Sequence, residues 1–111
     1  MYKFTGFTQK ANSALNSAIE FAENLGHTYI GSEHLLLGLI ASDGSVAQTA
    51  LETRGVTFEK IENVIRTEIG IGTPTVLSPN DFTPRSKNII EISVSQARAS
   101  GQNYVGTEHI L

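Results

Sequence analysis

Two Glu-His pairs, Glu33-His34 and Glu108-His109, are the residues of this chain best suited to chemistry. Each belongs to one copy of a repeated octapeptide, since YIGSEHLL at positions 29–36 returns as YVGTEHIL at positions 104–111, 75 positions later. In both copies a Ser or Thr follows Gly, which predicts a helix N-cap, and the helix dipole favours the acidic residue that comes next. Each copy is therefore predicted to hold a carboxylate beside the unpaired amides of a helix start.

A simpler interpretation of each pair is structural. A Ser/Thr-Glu pair at a helix start is often only a cap followed by a dipole-favoured charge. Ser32, Glu33 and His34 are adjacent and cannot converge as a catalytic triad, and no histidine follows His34 at the fourth position to complete a metal site. We therefore predict no catalytic residue and no metal ligand, and expect both histidines to form hydrogen bonds near the helix starts.

Composition limits the remaining functions. The 111 residues are 40% hydrophobic and carry a net charge of −3, which suits one globular domain and gives no basic field for nucleic acid. Cysteine is absent, so disulfides and thiolate chemistry are excluded. No segment has the length of apolar sequence needed for a signal peptide or a membrane span, and we expect a cytoplasmic protein that binds neither membranes nor nucleic acid.

Apolar periodicity predicts helices to position these pairs. Residues 8–26 form the first, with an apolar stripe whose small alanines favour close helix packing. Residues 35–40 are apolar on nearly every side and predict a buried central helix. Two further helices are predicted to start at Ser45 and Thr57 and to end before Gly55 and Gly70. The first stripe comprises Ala11, Ala14, Leu15, Ala18, Ala22 and Leu25.

The 75-residue offset extends beyond the octapeptide, because Phe7-Thr8 returns as Phe82-Thr83 without gaps. We predict an all-α fold built as a tandem repeat of a four-helix unit, with repeat one at 7–70, a connector at 71–81 and an incomplete repeat two at 82–111, within a single domain spanning 1–111. The chain is then either a fragment of a longer polypeptide, which we favour, or a unit that completes itself by dimerisation, so a monomer or a dimer is expected.

Three phenylalanines precede or flank the predicted helix starts. Phe7 and Phe82 each come directly before a predicted cap, which favours a hydrophobic staple against the first turn of the helix. An adaptor-binding surface patch is the alternative for both. Phe4 fits either role.

The doubled Gly-Ser/Thr-Glu-His signature, the two Phe-Thr helix starts and the connector between them resemble the N-terminal domain of Clp ATPases over essentially the whole chain. The resemblance is strongest to the ClpC branch of Gram-positive bacteria, because a Glu-His pair stands in both repeats. It implies a non-catalytic domain that binds adaptors and protein substrates for a homohexameric, ATP-driven unfoldase acting with the ClpP protease. The domain itself is expected to bind no cofactor, with ATP and Mg²⁺ confined to downstream modules of the parent protein, since no phosphate-binding loop occurs here.

The resemblance to ClpC also implies a domain that recognises phosphorylated arginine, in which the repeat glutamates contact the modified guanidinium. The corresponding residues here are Glu33 and Glu108. A carboxylate forms paired hydrogen bonds with a guanidinium, and a phosphoryl group prefers exposed helix amides and hydroxyls. Thr8 and Thr83, with Lys10 and Arg85 close behind, are the predicted partners of the phosphoryl group. The alternative function is a stand-alone helical interaction protein that dimerises through the incomplete second repeat.

Overall fold

A computed structural model describes residues 2–111, which form six α-helices and one 3₁₀ turn. In the described part of the chain the only β-type pairing consists of two isolated bridges, so the predicted all-α class is confirmed. The helices are α1 (Gln9–Asn24), α2 (Ser32–Ile40), α3 (Val46–Thr53), α4 (Phe58–Glu68), α5 (Pro84–Ala99) and α6 (Thr107–Ile110), with the 3₁₀ turn at Pro79–Asp81. No helix within residues 2–111 combines the length and apolar character that crossing a membrane requires.

Four of the helix starts follow the capping pattern of the sequence. The side chains of Thr8, Ser45, Thr57 and Thr83 each accept a hydrogen bond from the backbone amide three residues later. The predicted caps at these positions are therefore correct. Because α1 and α5 begin and end at positions 75 apart, the offset in the sequence is also an offset in the structure.

The central contact of the fold is the packing of α1 against α2. All six residues of the predicted α1 stripe are buried, and Gly38 of α2 lies directly over the backbone of Ala14 and Ala18. A Cβ atom at position 38 would meet the Ala14 carbonyl oxygen, so the two helices approach more closely than a larger residue would allow. The small residues therefore set the distance between the two helices that support the first Glu-His pair.

Gly38→Ala is expected to lower the free energy of unfolding by about 1–2 kcal/mol. The added methyl group strikes a backbone carbonyl that cannot move aside, and the better helix propensity of alanine, about 1 kcal/mol, offsets only part of that overpacking. Urea unfolding followed by circular dichroism measures the change. Val64→Ala, at a site that is 60% exposed on α4, is the control and should change stability by less than about 0.5 kcal/mol. A Gly38→Ala variant as stable as the original would show that this crossing is not tightly packed.

The segment that leads into the first helix of each repeat pairs with the other repeat. The amide of Thr8 donates to the Val105 carbonyl at 2.8 Å, and the amide of Thr83 donates to the Ile30 carbonyl at 3.0 Å. The bridges Phe7–Val105 and Ile30–Phe82 are likewise related by the 75-residue offset. Each repeat therefore places its Phe-Thr helix start against the Glu-His signature of the other repeat.

Several expectations for apolar residues were wrong. The residues that follow the caps by four, Asn12 and Lys87, are polar, so Phe7 and Phe82 have no staple partner there. Phe82 instead lies in the core, and Phe7 packs at its edge. Periodicity also predicts one apolar face on each of α3 and α4, but four residues of these faces are exposed, because only one side of each helix meets α2. The exposed members are Val46, Ala50, Val64 and Ile69.

Candidate functional site

The two signature helices begin one residue earlier than predicted. Gly31 and Gly106 are the N-caps, and Ser32 and Thr107 occupy the first helical position, so the predicted hydroxyl caps are wrong. The histidine ring takes over the capping, because Nδ1 of His34 accepts from the Gly31 amide at 2.9 Å and Nδ1 of His109 does the same with Gly106. The expectation that both histidines form hydrogen bonds near the helix starts is confirmed.

Thr107 has a different role from the one its position suggested. Its side chain is buried, and its hydroxyl accepts a hydrogen bond from the Ala47 amide at 3.3 Å. Ala47 is the second residue of α3, so this bond joins the start of the second signature helix to repeat one. The hydroxyl is therefore a structural link between repeats.

The Glu33 carboxylate folds back over the start of its own helix. Its Oε1 atom occupies the space that a Cβ atom at position 31 would fill, so the glycine makes room for the folded-back carboxylate. The backbone does not need glycine here, since its φ is −94°. This oxygen is buried and has no hydrogen-bond partner, while the side chain as a whole is 30% exposed. A buried carboxylate oxygen without a donor is costly, and a ligand that supplies a donor would remove that cost.

The neighbour of this oxygen is His34, whose Nδ1 atom lies 3.4 Å from Glu33 Oε1. The two do not form an ion pair at neutral pH, because Nδ1 already accepts from the Gly31 amide and carries no proton. Burial, with a further contribution from the nearby His27, lowers the pKa of His34 to about 4. Glu33 therefore remains available for a cation from outside.

A second histidine, His27 in the loop between α1 and α2, completes a buried hydrogen-bond chain. His27 Nδ1 lies 2.7 Å from His34 Nε2, and His27 Nε2 lies 2.8 Å from the Gly70 carbonyl oxygen. Because the Gly31 amide is a fixed donor and the Gly70 carbonyl a fixed acceptor, each ring must carry its proton on Nε2. The chain links the end of α4 to the start of α2. The only sequence signal for it was that repeat two has Gln102 at the position of His27.

Tyr29 covers this histidine chain from the side. Its ring stacks on His27 with centroids 5.8 Å apart and meets His34 edge-on at 5.5 Å. Burial, together with the negative charge of Glu33, raises the pKa of the Tyr29 hydroxyl. The Tyr29 ring therefore shields one side of the histidine chain.

Glu108 shares a cleft with residues of the other repeat. Thr8, Lys10 and Glu108 all line a depression of about 440 Å³, which we call the α1–α6 cleft. The Lys10 ammonium donates to the Asp43 carbonyl at 2.9 Å, which holds it over the edge of this cleft. Three of the predicted site residues are thus brought together, and they come from both ends of the chain.

The counterpart around Glu33 is arranged differently. Glu33 borders two clefts of about 300 and 340 Å³, and neither Thr83 nor Arg85 lines either of them. Thr83 is nevertheless tied by its amide to Ile30, three residues before Glu33. The 340 Å³ cleft is walled mainly by apolar side chains, with Lys60 at its edge: Leu36, Val56, Ile61, Val64 and Ile65. Among residues 2–111 no group of three or more potential metal-ligating side chains is present.

Residues 6–111 match the family described as the Clp repeat (R) N-terminal domain. Over 108 residues, or 97% of its length, the chain is 44% identical to the negative regulator of genetic competence ClpC/MecB of Bacillus subtilis. Over the same length it is 42% identical to the chaperone protein ClpB of Oceanobacillus iheyensis. The chain spans only 13% of each of these relatives.

Solved structures agree with the family match. The N-terminal domain of the caseinolytic protease associated chaperone ClpD from Arabidopsis thaliana is similar with a TM-score of 0.71 and 28% identity, covering 97% of this chain and 75% of that one. The N-domain of ClpV from Vibrio cholerae has a TM-score of 0.72 at 16% identity, covering 95% of this chain and 63% of that one, and supports the fold alone.

Proposed function

The chain belongs to the family of Clp repeat N-terminal domains, and from this we propose that it is the substrate- and adaptor-binding domain of a ClpC-like, ATP-dependent unfoldase. The match to the ClpC/MecB relative over 97% of this chain supports the assignment. In this proposal the domain is non-catalytic, and the parent protein is a cytoplasmic homohexamer that binds ATP and Mg²⁺ elsewhere and delivers substrates to ClpP.

The ligand that we propose for this domain is phosphorylated arginine on protein substrates. The observation that carries this proposal is the Glu33 carboxylate, which belongs to a side chain that is 30% exposed and whose Oε1 atom has no donor in the free protein. A guanidinium group presents several N–H donors in a plane and is the side chain best matched to a carboxylate. Glu33, at the first turn of a nine-residue helix, would receive the N–H groups of the ligand.

A second ligand would bind at Glu108. Its phosphoryl group needs a positive environment, which we propose is the α1–α6 cleft. Lys10 brings its ammonium to the edge of this cleft, and the first amides of α1 have no acceptor within the helix. The Thr8 hydroxyl accepts from the Ala11 amide and keeps its own proton for donation. Glu108, which lines the same cleft, would then receive the guanidinium. Thr83, whose amide is bonded to the Ile30 carbonyl, and Arg85 are proposed as the equivalent contacts near Glu33.

A titration with three ligands tests this proposal. Phosphoarginine is expected to shift the backbone amide signals of residues 31–35 and 106–109 in the nuclear magnetic resonance spectrum, because both halves of the ligand find partners. Free arginine and inorganic phosphate each satisfy only one half, and should bind at least about tenfold more weakly, which corresponds to the loss of about one charge-assisted hydrogen bond. Equal binding of arginine and phosphoarginine would refute the phosphoryl contacts.

Gly31→Ala separates the position of the Glu33 carboxylate from its charge. The added methyl group takes the space of Oε1 and turns the carboxylate outward, while the backbone angle at position 31 suits alanine. We expect phosphoarginine binding near Glu33 to weaken by about tenfold with little change in stability, as the preorganised acceptor is lost. Ala41→Gly, at the other end of α2, is the control. Gly55→Ala is not suitable, because the φ of Gly55 is positive. Unchanged affinity in Gly31→Ala would show that the folded-back carboxylate is not the binding form.

The alternative function, dimerisation of a stand-alone interaction protein, has its own observation. Ile92 and Leu111 are about half exposed and line a cleft of about 370 Å³ with Ile89 and Ile110. Sedimentation of the 111-residue chain distinguishes the two functions. A tight dimer without affinity for Clp adaptors or phosphoarginine would favour the alternative, and a monomer that binds either would favour the receptor.

A further inference from the structure

Two asparagines one turn apart on α1 hold the N-terminal segment (residues 2–5) by its backbone. Asn16 accepts from the Tyr2 amide at 2.7 Å and donates to the Tyr2 carbonyl at 2.7 Å. Asn12 accepts from the Phe4 amide at 2.6 Å and donates to the Phe4 carbonyl at 3.0 Å. We call these two side chains the asparagine ladder, since they engage alternate residues as a neighbouring strand would.

This recognition does not depend on which side chains the bound segment carries. A carboxamide has a carbonyl acceptor and N–H donors, so it can pair with both the N–H and the C=O group of any non-proline backbone residue. The residue between the paired positions, Lys3, is exposed. Recognition of a backbone edge is the basis of peptide binding by strand addition, where main-chain bonds supply affinity for extended segments.

The asparagine ladder is not a requirement of the repeat architecture. Asparagine is unfavourable within helices, and burying it demands hydrogen-bond partners. Asn16 is only 6% exposed, yet the corresponding residues of α5 are Lys87 and Glu91, both of them exposed. A helix with the same boundaries and the same N-cap residue therefore forms without these amides. Asn12 also donates to the Phe7 and Thr8 carbonyls, both at 3.2 Å, and the other bonds of the two asparagines that leave α1 all go to the extended segment.

An aromatic contact adds selectivity beside the ladder. The Phe4 ring meets Phe7 and Phe82 edge-on, with both pairs of centroids 6.3 Å apart. Phe4 is half-buried at the edge of the core, whereas Tyr2 is 40% exposed and is further held only by its hydroxyl bond to the Leu77 carbonyl. The site therefore fits an extended backbone with an aromatic residue at one of the two paired positions.

We propose that the asparagine ladder is a binding site for extended polypeptide segments, and that the N-terminal segment occupies it until an unfolded stretch of a protein substrate replaces it. The proposal rests on the proposed function as a substrate receptor. Because the tethered segment competes at an effective concentration in the millimolar range, a free peptide binds detectably only when that segment is released.

The test uses the full chain and a capped tetrapeptide, Tyr-Lys-Phe-Thr, which copies the N-terminal segment. Tyr2→Pro with Phe4→Pro removes both backbone donors and releases the segment. We expect this variant to bind the peptide at least about tenfold more tightly than the original chain, with the side-chain amide signals of Asn12 and Asn16 shifting on binding. Adding Asn12→Ala and Asn16→Ala should abolish binding, whereas Asn88→Ala, at an exposed site of α5, should not.

A chemically altered peptide isolates the backbone contribution. Methylation of the Tyr and Phe amide nitrogens leaves every side chain intact but removes both donors, so the methylated peptide should not bind. Equal binding of both peptides would overturn the proposal, as would unmoved Asn12 and Asn16 side-chain signals in the released variant. Exchange of segments between two copies, seen as a dimer that ignores the peptide, would also overturn it. Phosphoarginine is absent from this probe, so failure here leaves the Glu33 and Glu108 site to be judged by its own titration.

Discussion

Replacing both repeat glutamates, Glu33→Ala with Glu108→Ala, is expected to weaken phosphoarginine binding by at least about 100-fold while helix content stays unchanged. Each carboxylate would form charge-assisted hydrogen bonds with a guanidinium, and such bonds contribute about 1.5–3 kcal/mol. Loss of about 3 kcal/mol at a site corresponds to a change in Kd of roughly 100-fold. Calorimetric titration with phosphoarginine measures the affinity, and circular dichroism measures the helix content.

The chain contains a matched control for this double variant. Glu59 is the second residue after the N-cap of α4, as Glu33 is in α2, and it is exposed. If the repeat glutamates only favour the helix dipole, Glu59→Ala and Glu33→Ala should have the same small effect on stability, about 0.3–1 kcal/mol, and none on binding. Normal phosphoarginine affinity in the double variant would remove both residues from the proposed site.

The second large effect is a loss of stability in acid. His34 has a pKa of about 4 in the folded chain, below the ordinary value of 6.5, because it is buried and faces His27. Between pH 4 and pH 6.5, His34 binds a proton in the unfolded chain but not in the folded chain. The contribution of His34 to stability is therefore complete above pH 6.5 and is lost as the pH falls toward 4. Its size is about 3 kcal/mol, since each pKa unit corresponds to about 1.4 kcal/mol.

Urea unfolding at pH 7.5 and pH 4.5 measures this effect, and two variants isolate it from the carboxylates that titrate in the same range. His34→Gln removes the titrating imidazole and should abolish most of the difference in the free energy of unfolding between the two pH values, although it lowers stability at pH 7.5. His109→Gln alters the equivalent residue of repeat two, which is less buried and has no second histidine beside it, and should keep the full acid effect. An unchanged acid effect in His34→Gln would show that the histidine chain is not its origin.

Local features of the fold were predictable because they depend on neighbours in the sequence. The apolar stripe of α1 and the four Ser and Thr caps follow from periodicity and capping chemistry, and the structure confirms them. The same reasoning failed at Gly31 and Gly106, where the His34 and His109 rings cap the helix in place of the hydroxyls. The capping pattern gave no reason to prefer an imidazole at the third helical position over the serine or threonine nearer the start.

Contacts between distant segments were not predictable from one repeat. The pairing of Thr8 with repeat two, which joins Thr8 and Lys10 to Glu108 in one cleft, depends on how the repeats pack. The link between His27 and His34 required the loop conformation before α2. Two features of the sequence nevertheless distinguish the residues that make these long-range contacts. These were the replacement of His27 by Gln102 in the repeat and the asparagines at positions 12 and 16 of an otherwise favourable helix.

The most direct measurement is a crystal structure of the chain with phosphoarginine. The proposed function predicts a guanidinium N–H donor about 2.7–3.1 Å from the Glu33 carboxylate, which has an oxygen without a partner in the free protein. It also predicts a second ligand in the α1–α6 cleft, with its phosphoryl group beside Lys10 and Thr8 and its guanidinium at Glu108. A ligand bound elsewhere, with the Glu33 carboxylate still without a ligand donor, would contradict the proposed recognition of modified arginine by these two helix starts.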